Sequence, residues 1–177
     1  KESGRNRLHV YRSDDGEIAE RYGEMQWVSH ITQAFEEERF RLYYQSIVPV
    51  DAGDPGREHY EFLIRMLDSD GRPVPPGFFL PAAERYDLAA TLDRWVLRSA
   101  LRWFDAHPDR LERLHRCAIN LSGKSLGDDH FHEFAAELFA ASKVPPERLC
   151  FEITETAAIT NLGKATEFIH RFKQLGC

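Results

Sequence analysis

Two segments near the start of the main body limit the fold more than anything else in the chain. Arg41–Val50 (RLYYQSIVPV) and His59–Met66 (HYEFLIRM) are dense in aromatic and β-branched residues, and only Asp51–Glu58 (DAGDPGRE) lies between them. Eight residues of this kind form a turn, whereas a parallel crossover needs about a dozen or more. The two strands are therefore expected to pair as an antiparallel hairpin. After a stiff Pro73–Gly77 loop and a short helix around Phe78–Glu84, a long helix is expected over Leu88–Ala106. Its buried face reads Leu88, Leu92, Trp95, Val96, Ser99 and Trp103, and His107-Pro108 ends it.

From there strand and helix alternate. Arg116–Leu121 (RCAINL) and Leu149–Thr154 (LCFEIT) read as short buried strands, with Asp128–Ser142 and Leu162–Leu175 as helices. Alternation with short loops implies parallel β/α units. The expected class is α/β, with an antiparallel first strand. Upstream, Asp14–Glu38 carries eight acids against one Arg, with Ile18, Tyr22, Met25, Val28, Ile31 and Phe35 at helical spacing. This reads as an exposed connector helix packed along one side. Its acidic polar face argues against a membrane surface.

Composition narrows the function classes. The 177 residues carry a formal charge of −6, which argues against DNA or RNA as a partner. No apolar run approaches the ~18 residues of a membrane span, and Lys1-Glu2-Ser3-Gly4 lacks a signal-peptide pattern. Cys117, Cys150 and Cys177 are odd in number and lack zinc spacing. A reducing, cytoplasmic setting is expected. With no initiator Met and an end directly after a helix-like segment, the chain reads as cut at both ends.

Buried strands should be almost continuously apolar, yet three of these are each interrupted once, by Glu61, Asn120 and Glu152. Period-2 alternation puts Glu61, Leu63 and Arg65 on one face, and Cys150, Glu152 and Thr154 on another common face. Asn120 and Glu152 fall near the C-terminal ends of their strands, the active-site rim in β/α barrels. Two carboxylates and an amide oxygen suit a hard cation such as Mg²⁺ or Mn²⁺, and Arg65 suits a phosphate. Spacing alone is equally compatible with a Glu61–Arg65 salt bridge and two capping residues.

The residues themselves carry a resemblance. Leu42–Ile47 (LYYQSI), Glu61–Arg65 (EFLIR), Pro75-Pro76 with Phe79, Ala83–Leu88 (AERYDL), Trp95–Leu97, Ile119–Ser122 (INLS) and Phe151–Glu155 (FEITE) agree in order and spacing with one family. The run from Phe40 to Cys177 resembles the EAL domain of bacterial cyclic di-GMP phosphodiesterases. Gly4–Arg7 resembles the end of a GGDEF diguanylate-cyclase domain. The implied organisation is a GGDEF remnant over 1–13, a connector helix over 14–38 and the N-terminal portion of an EAL domain over 39–177. The implied fold is a TIM-type β/α barrel with an antiparallel first strand, here its N-terminal portion.

The resemblance also implies roles. Glu61, Asn120 and Glu152 match metal ligands of a two-cation site using Mg²⁺ or Mn²⁺. Gln45, Leu63 and Arg65 match positions that contact cyclic di-GMP, with Arg65 on a phosphate. Glu155 matches a glutamate that supports the loop over the metals. The implied reaction opens one phosphodiester bond to give linear pGpG. Two positions depart from the family: Phe62 stands where Ala is usual and would add bulk on the opposite face of its strand, and Ser46 stands where Pro is usual. A paired-aspartate loop, a catalytic lysine and further acidic ligands are expected beyond Cys177. This chain alone is therefore expected to be inactive, with open sheet edges that favour a homodimer. Upstream GGDEF and sensory domains are the implied partners in the parent, with room for a tether to the inner membrane.

Two other readings stand beside this one. A catalytically silent EAL domain could serve as a cyclic di-GMP receptor or a protein-interaction module, although retention of all three metal-ligand positions favours the enzyme. A glycosidase pair of Glu61 and Glu152 leaves Asn120 without a role. Elsewhere, His130 and His132 read as a solvated pair, Cys117 and Cys150 as small buried hydrophobes, and Trp95 and Trp103 as core.

Overall fold

The computed structural model describes residues 16–48, 57–160 and 162–177, with the side chains of the first helix described from residue 25. The expected GGDEF remnant and most of the 51–58 turn lie outside the described residues.

The hairpin forms as expected. Strand β1 (Phe40–Ile47) pairs antiparallel with β2 (Glu58–Leu67), with Gln45 opposite Glu61 and Tyr43 opposite Leu63. The Pro73–Gly77 segment is more than a loop, because Pro73–Val74 forms a two-residue strand, β3, on the end of β2. Proline is tolerated there since β3 is a short edge piece that makes few ladder bonds. Strands β4 (Leu114–Leu121) and β5 (Leu149–Ile153) then add in parallel, giving the order β1-β2-β4-β5. One antiparallel strand followed by parallel β/α units is the expected opening of a β/α barrel.

The first helix, α1 (Gly16–Glu36), covers the predicted connector. Its contact face keeps Val28, Ile31 and Phe35 of the predicted one, loses Met25 and adds Trp27 and Ala34. Met25 is exposed, whereas Ile31 and Ala34 are fully buried and Trp27 and Phe35 half-buried. The partner is α2 (Pro76–Arg85), where Phe78 stacks on Trp27 with ring centroids 6.1 Å apart. Phe35, Phe40, Phe79 and Trp95 then link α1, β1, α2 and α3 (Ala89–Ala106) into one apolar cluster. This packing widens the contact face toward α2, which hydropathy spacing alone does not specify.

The main core lies between one face of the sheet and helices α3, α5 (Asp129–Ala141) and α7 (Leu162–Leu175). Tyr60 and Phe62 from β2, Cys117, Ile119 and Leu121 from β4, and Leu149 from β5 all point there. Phe62 meets Phe104 at 5.6 Å and the edge of Trp103 at 6.0 Å. The extra bulk of Phe62 is thus absorbed by the helix layer, away from Glu61. The buried stripe of α3 runs Ala89, Leu92, Asp93, Val96, Leu97, Ala100, Leu101 and Phe104, so Trp95 and Trp103 sit at its edge rather than its centre.

Two short helices were not anticipated. Pro108–Arg113 forms α4, started by a proline in its first turn, and Glu155–Thr160 forms α6. The Thr154 hydroxyl accepts the Ala157 N–H at 3.2 Å and caps α6. No helix among the described residues is long and apolar enough to cross a membrane. All three cysteines are free; burial pushes the Cys117 thiol up, and that of Cys177 up to about 12.

Candidate functional site

The sheet register gathers the strand-interrupting polar residues. Partners across a ladder share a face, so Gln45 beside Glu61, and Asn120 beside Glu152, project from the face opposite the aromatic core. Glu61 is level with Ala118, one alternate residue before Asn120. Asn120 bridges the step by donating its Nδ2–H to Glu61 Oε1 at 2.9 Å. Glu61 is half-buried, and Asn120, Glu152 and Gln45 are exposed.

A cavity of about 270 Å³ opens at the C-terminal ends of the strands. It is lined by Leu63, Arg65, Asn120 and Glu152, by Phe62, Ile64 and Leu121 from the core-facing positions of the same strands, and by residues of α2 and α3 that include Glu84 and Asp93. Gln45, Glu61 and Glu155 lie outside this lining. Glu155 is at the exposed first turn of α6 and, among the described residues, has no hydrogen bond or ion pair to the other candidate residues.

The simple salt-bridge reading fails. Among the described residues no ion pair joins Glu61 to Arg65, and Glu152 has no cationic partner. Arg65 instead donates Nη1–H to the carbonyl of Ile64 at 2.8 Å and lies over the Tyr43 ring, 5.7 Å from its centroid. An arginine held by an aromatic face and a carbonyl keeps several donors available for a phosphate.

The donor chemistry fits one hard cation. Glu61, the Asn120 amide oxygen and Glu152 offer three oxygens from adjacent strands, and rotation of the Asn120 amide would exchange its nitrogen for the oxygen. Mg²⁺ is commonly held by one or two carboxylates with water and phosphate completing the shell. No group of three or more His, Cys, Asp or Glu side chains placed to hold a metal occurs among the described residues, so the set depends on the amide. A second cation needs further donors.

Sequence reasoning missed Asp93 and Tyr43. Asp93 is 8% exposed, and its Oδ2 accepts from Ser122 N at 2.9 Å, Ser122 Oγ at 2.6 Å and Ser125 Oγ at 2.7 Å. Burial raises its carboxyl above the ordinary value; the serine bonds oppose this and Glu84 adds to it. The sequence carried a signal, since Asp93 interrupts an otherwise apolar i, i+3, i+4 stripe. His132 also departs from expectation. It is buried between Phe168 and Phe172 while His130 is exposed, because α7 packs over only one side of α5.

Comparison with known proteins identifies the family. The model of the EAL domain matches residues 28–177. Cyclic di-GMP phosphodiesterase PdeB of Shewanella oneidensis is 36% identical over 176 residues, which is 99% of this chain and 20% of that protein. Cyclic di-GMP phosphodiesterase PdeF of Escherichia coli is 31% identical over 150 residues, 85% of this chain and 19% of that protein. The crystal structure of the FimX EAL domain from Pseudomonas aeruginosa, bound to c-di-GMP, superposes with a TM-score of 0.76 at 32% identity, covering 85% of this chain and 59% of that one. The chain thus spans about a fifth of the length of these two curated relatives. With its register, its strand-end polar set and a family match over most of its length, the chain belongs to the EAL-domain family.

Proposed function

We propose that this chain supplies the substrate- and metal-holding strands of a phosphodiesterase that hydrolyses cyclic di-GMP to linear pGpG. The observation that carries the reading is the Glu61–Asn120 contact with Glu152 alongside, at the mouth of a cavity that also holds Arg65. Glu61, Asn120 and Glu152 hold Mg²⁺ or Mn²⁺, and Arg65 binds a phosphate of the dinucleotide. Gln45 and Leu63 contact the rest of the ligand. Glu155 supports the loop that closes over the metals.

Two bound divalent cations would acidify the attacking water and stabilise charge on phosphorus. The residues of the chain hold and orient the reactants around that chemistry. Water adds to phosphorus, one P–O3′ bond breaks, and the 3′ oxygen leaves with a proton. Three protein oxygens serve only one cation, so residues 1–177 alone should be inactive and the full-length protein active. The working assembly is read as a cytoplasmic homodimer carrying an upstream GGDEF domain, joined through the connector helix over 14–38, and sensory domains.

The test is incubation of the full-length protein with cyclic di-GMP and Mn²⁺, following pGpG by chromatography. Product that disappears in Glu61→Ala is expected. Tight cyclic di-GMP binding without product would replace the enzyme with a receptor.

A further inference from the structure

A buried carboxylate needs partners, and those of Asp93 all come from one loop. Ser122 and Ser125 follow directly on β4, whose penultimate residue is Asn120. Three donors converge on a single oxygen, Oδ2, and two of them are hydroxyls that could have faced water instead. On its other side the loop has no slack, because a Cβ at Gly123 would sit 3.2 Å from the Cβ of Ala157 in α6. The end of β4 is therefore clamped between α3 and the helix that follows β5. The clamp and the cavity share Asp93, Ser122 and Asn120.

We infer that Asp93 is a positioning residue for the candidate metal site: it holds the Ser122–Ser125 loop and so fixes Asn120 against Glu61 and Glu152. The inference rests on the metal-binding reading given above. Nothing in it requires Asp93 to touch metal or substrate. Its contribution is geometric, so an acceptor oxygen at the same place should serve nearly as well as the charge.

The test is Mn²⁺ affinity of the full-length protein, measured by electron paramagnetic resonance without substrate, with Tm recorded for every variant. Asp93→Ala should weaken Mn²⁺ binding about 10- to 100-fold, the range typical when a group orienting a metal ligand is lost. Asp93→Asn retains an oxygen acceptor for all three donors and should stay within about 3-fold of wild type. If Asp93→Ala does not fold, the double variant Ser122→Ala/Ser125→Ala, which keeps the Ser122 N–H bond, should still lose about 3- to 10-fold. Wild-type Mn²⁺ affinity in a folded Asp93→Ala or in the double variant overturns the inference, whatever happens to Tm. Equal losses in the Asn and Ala variants overturn the geometric account. Glu152→Gln separates the two layers. If wild type binds Mn²⁺ no better than Glu152→Gln, the metal reading fails first and the inference falls with it. A clear loss in Glu152→Gln leaves Asp93 to be judged alone.

Discussion

The two faces of one sheet follow different rules. On the helix-covered face, Tyr60, Phe62, Cys117, Ile119, Leu121 and Leu149 are all buried and pack against three helices. On the other face, Glu61, Asn120 and Glu152 stand beside Leu63 and Arg65 with little covering them. Period-2 alternation lets one strand serve both, since neighbouring residues never share a face. Glu61 and Phe62 are adjacent in sequence, yet Glu61 accepts a hydrogen bond from Asn120 on the open face while Phe62 packs on Phe104. The comparison teaches that stability and chemistry can be changed almost independently here, one residue apart.

The largest effect should come from the open face. Glu61→Ala in the full-length protein should lower pGpG formation by about 10³-fold or more, some 4 kcal/mol of barrier, with Tm little changed. A large Tm loss would mean that the open face also carries stability and would break the comparison.

The mirror-image change is Phe104→Ala. Phe104 is fully buried among Phe62 and Trp103, so denaturant unfolding should show a loss of about 3–5 kcal/mol. Cyclic di-GMP chemistry, scaled to the folded fraction, should persist.

Arg65→Lys should cost less, about 10-fold in KM, because an ammonium lacks the planar fork that reads phosphate and sits less well on the Tyr43 ring. A steady-state assay that finds no change in KM would remove Arg65 from the phosphate site.

The smallest effect concerns pH on the covered face. Burial lowers the His132 pKa below its ordinary 6.5, and Arg171, with Nη1 3.0 Å from Nδ1, lowers it further; Asp129, Glu167 and Asp128 oppose this. The Nε2 atom has no hydrogen-bond partner among the described residues. With the folded pKa below the unfolded one, the unfolded chain takes the proton first. The contribution of His132 is therefore complete above the unfolded pKa and is lost as pH falls through it toward the folded value. Urea unfolding at pH 7.5 and 5.5 should show an acid-dependent loss that His132→Leu abolishes. An unchanged pH dependence in that variant would place the titrating group elsewhere.

Much of the fold was legible because local rules were strong. The short, turn-rich spacing forced the hairpin, and clean alternation placed β4, β5, α5 and α7 within one or two residues. The polar residues that interrupt the strands stood out in the sequence, but burial is not what marks them, since Asn120 and Glu152 are exposed and Glu61 is half-buried. Less legible features depended on partners far along the chain. The two-residue β3 exists because the end of β2 runs on past its pairing with β4, and α1 adds Trp27 and Ala34 to its contact face because α2 packs beside it. His132 is buried by α7, about forty residues later.

Local pattern was enough to set the order of elements, the antiparallel start, and which side chains break the apolar strands. Periodicity and turn chemistry act over a few residues, so they can be read locally. Long-range packing is what brings Asn120 across to Glu61, sets Arg65 on Tyr43 rather than beside Glu61, and lets Asp93 tie the loop after β4 to α3. Those choices follow from strand register and helix packing, which bring together residues 22 to 59 positions apart and decide which polar group each one meets.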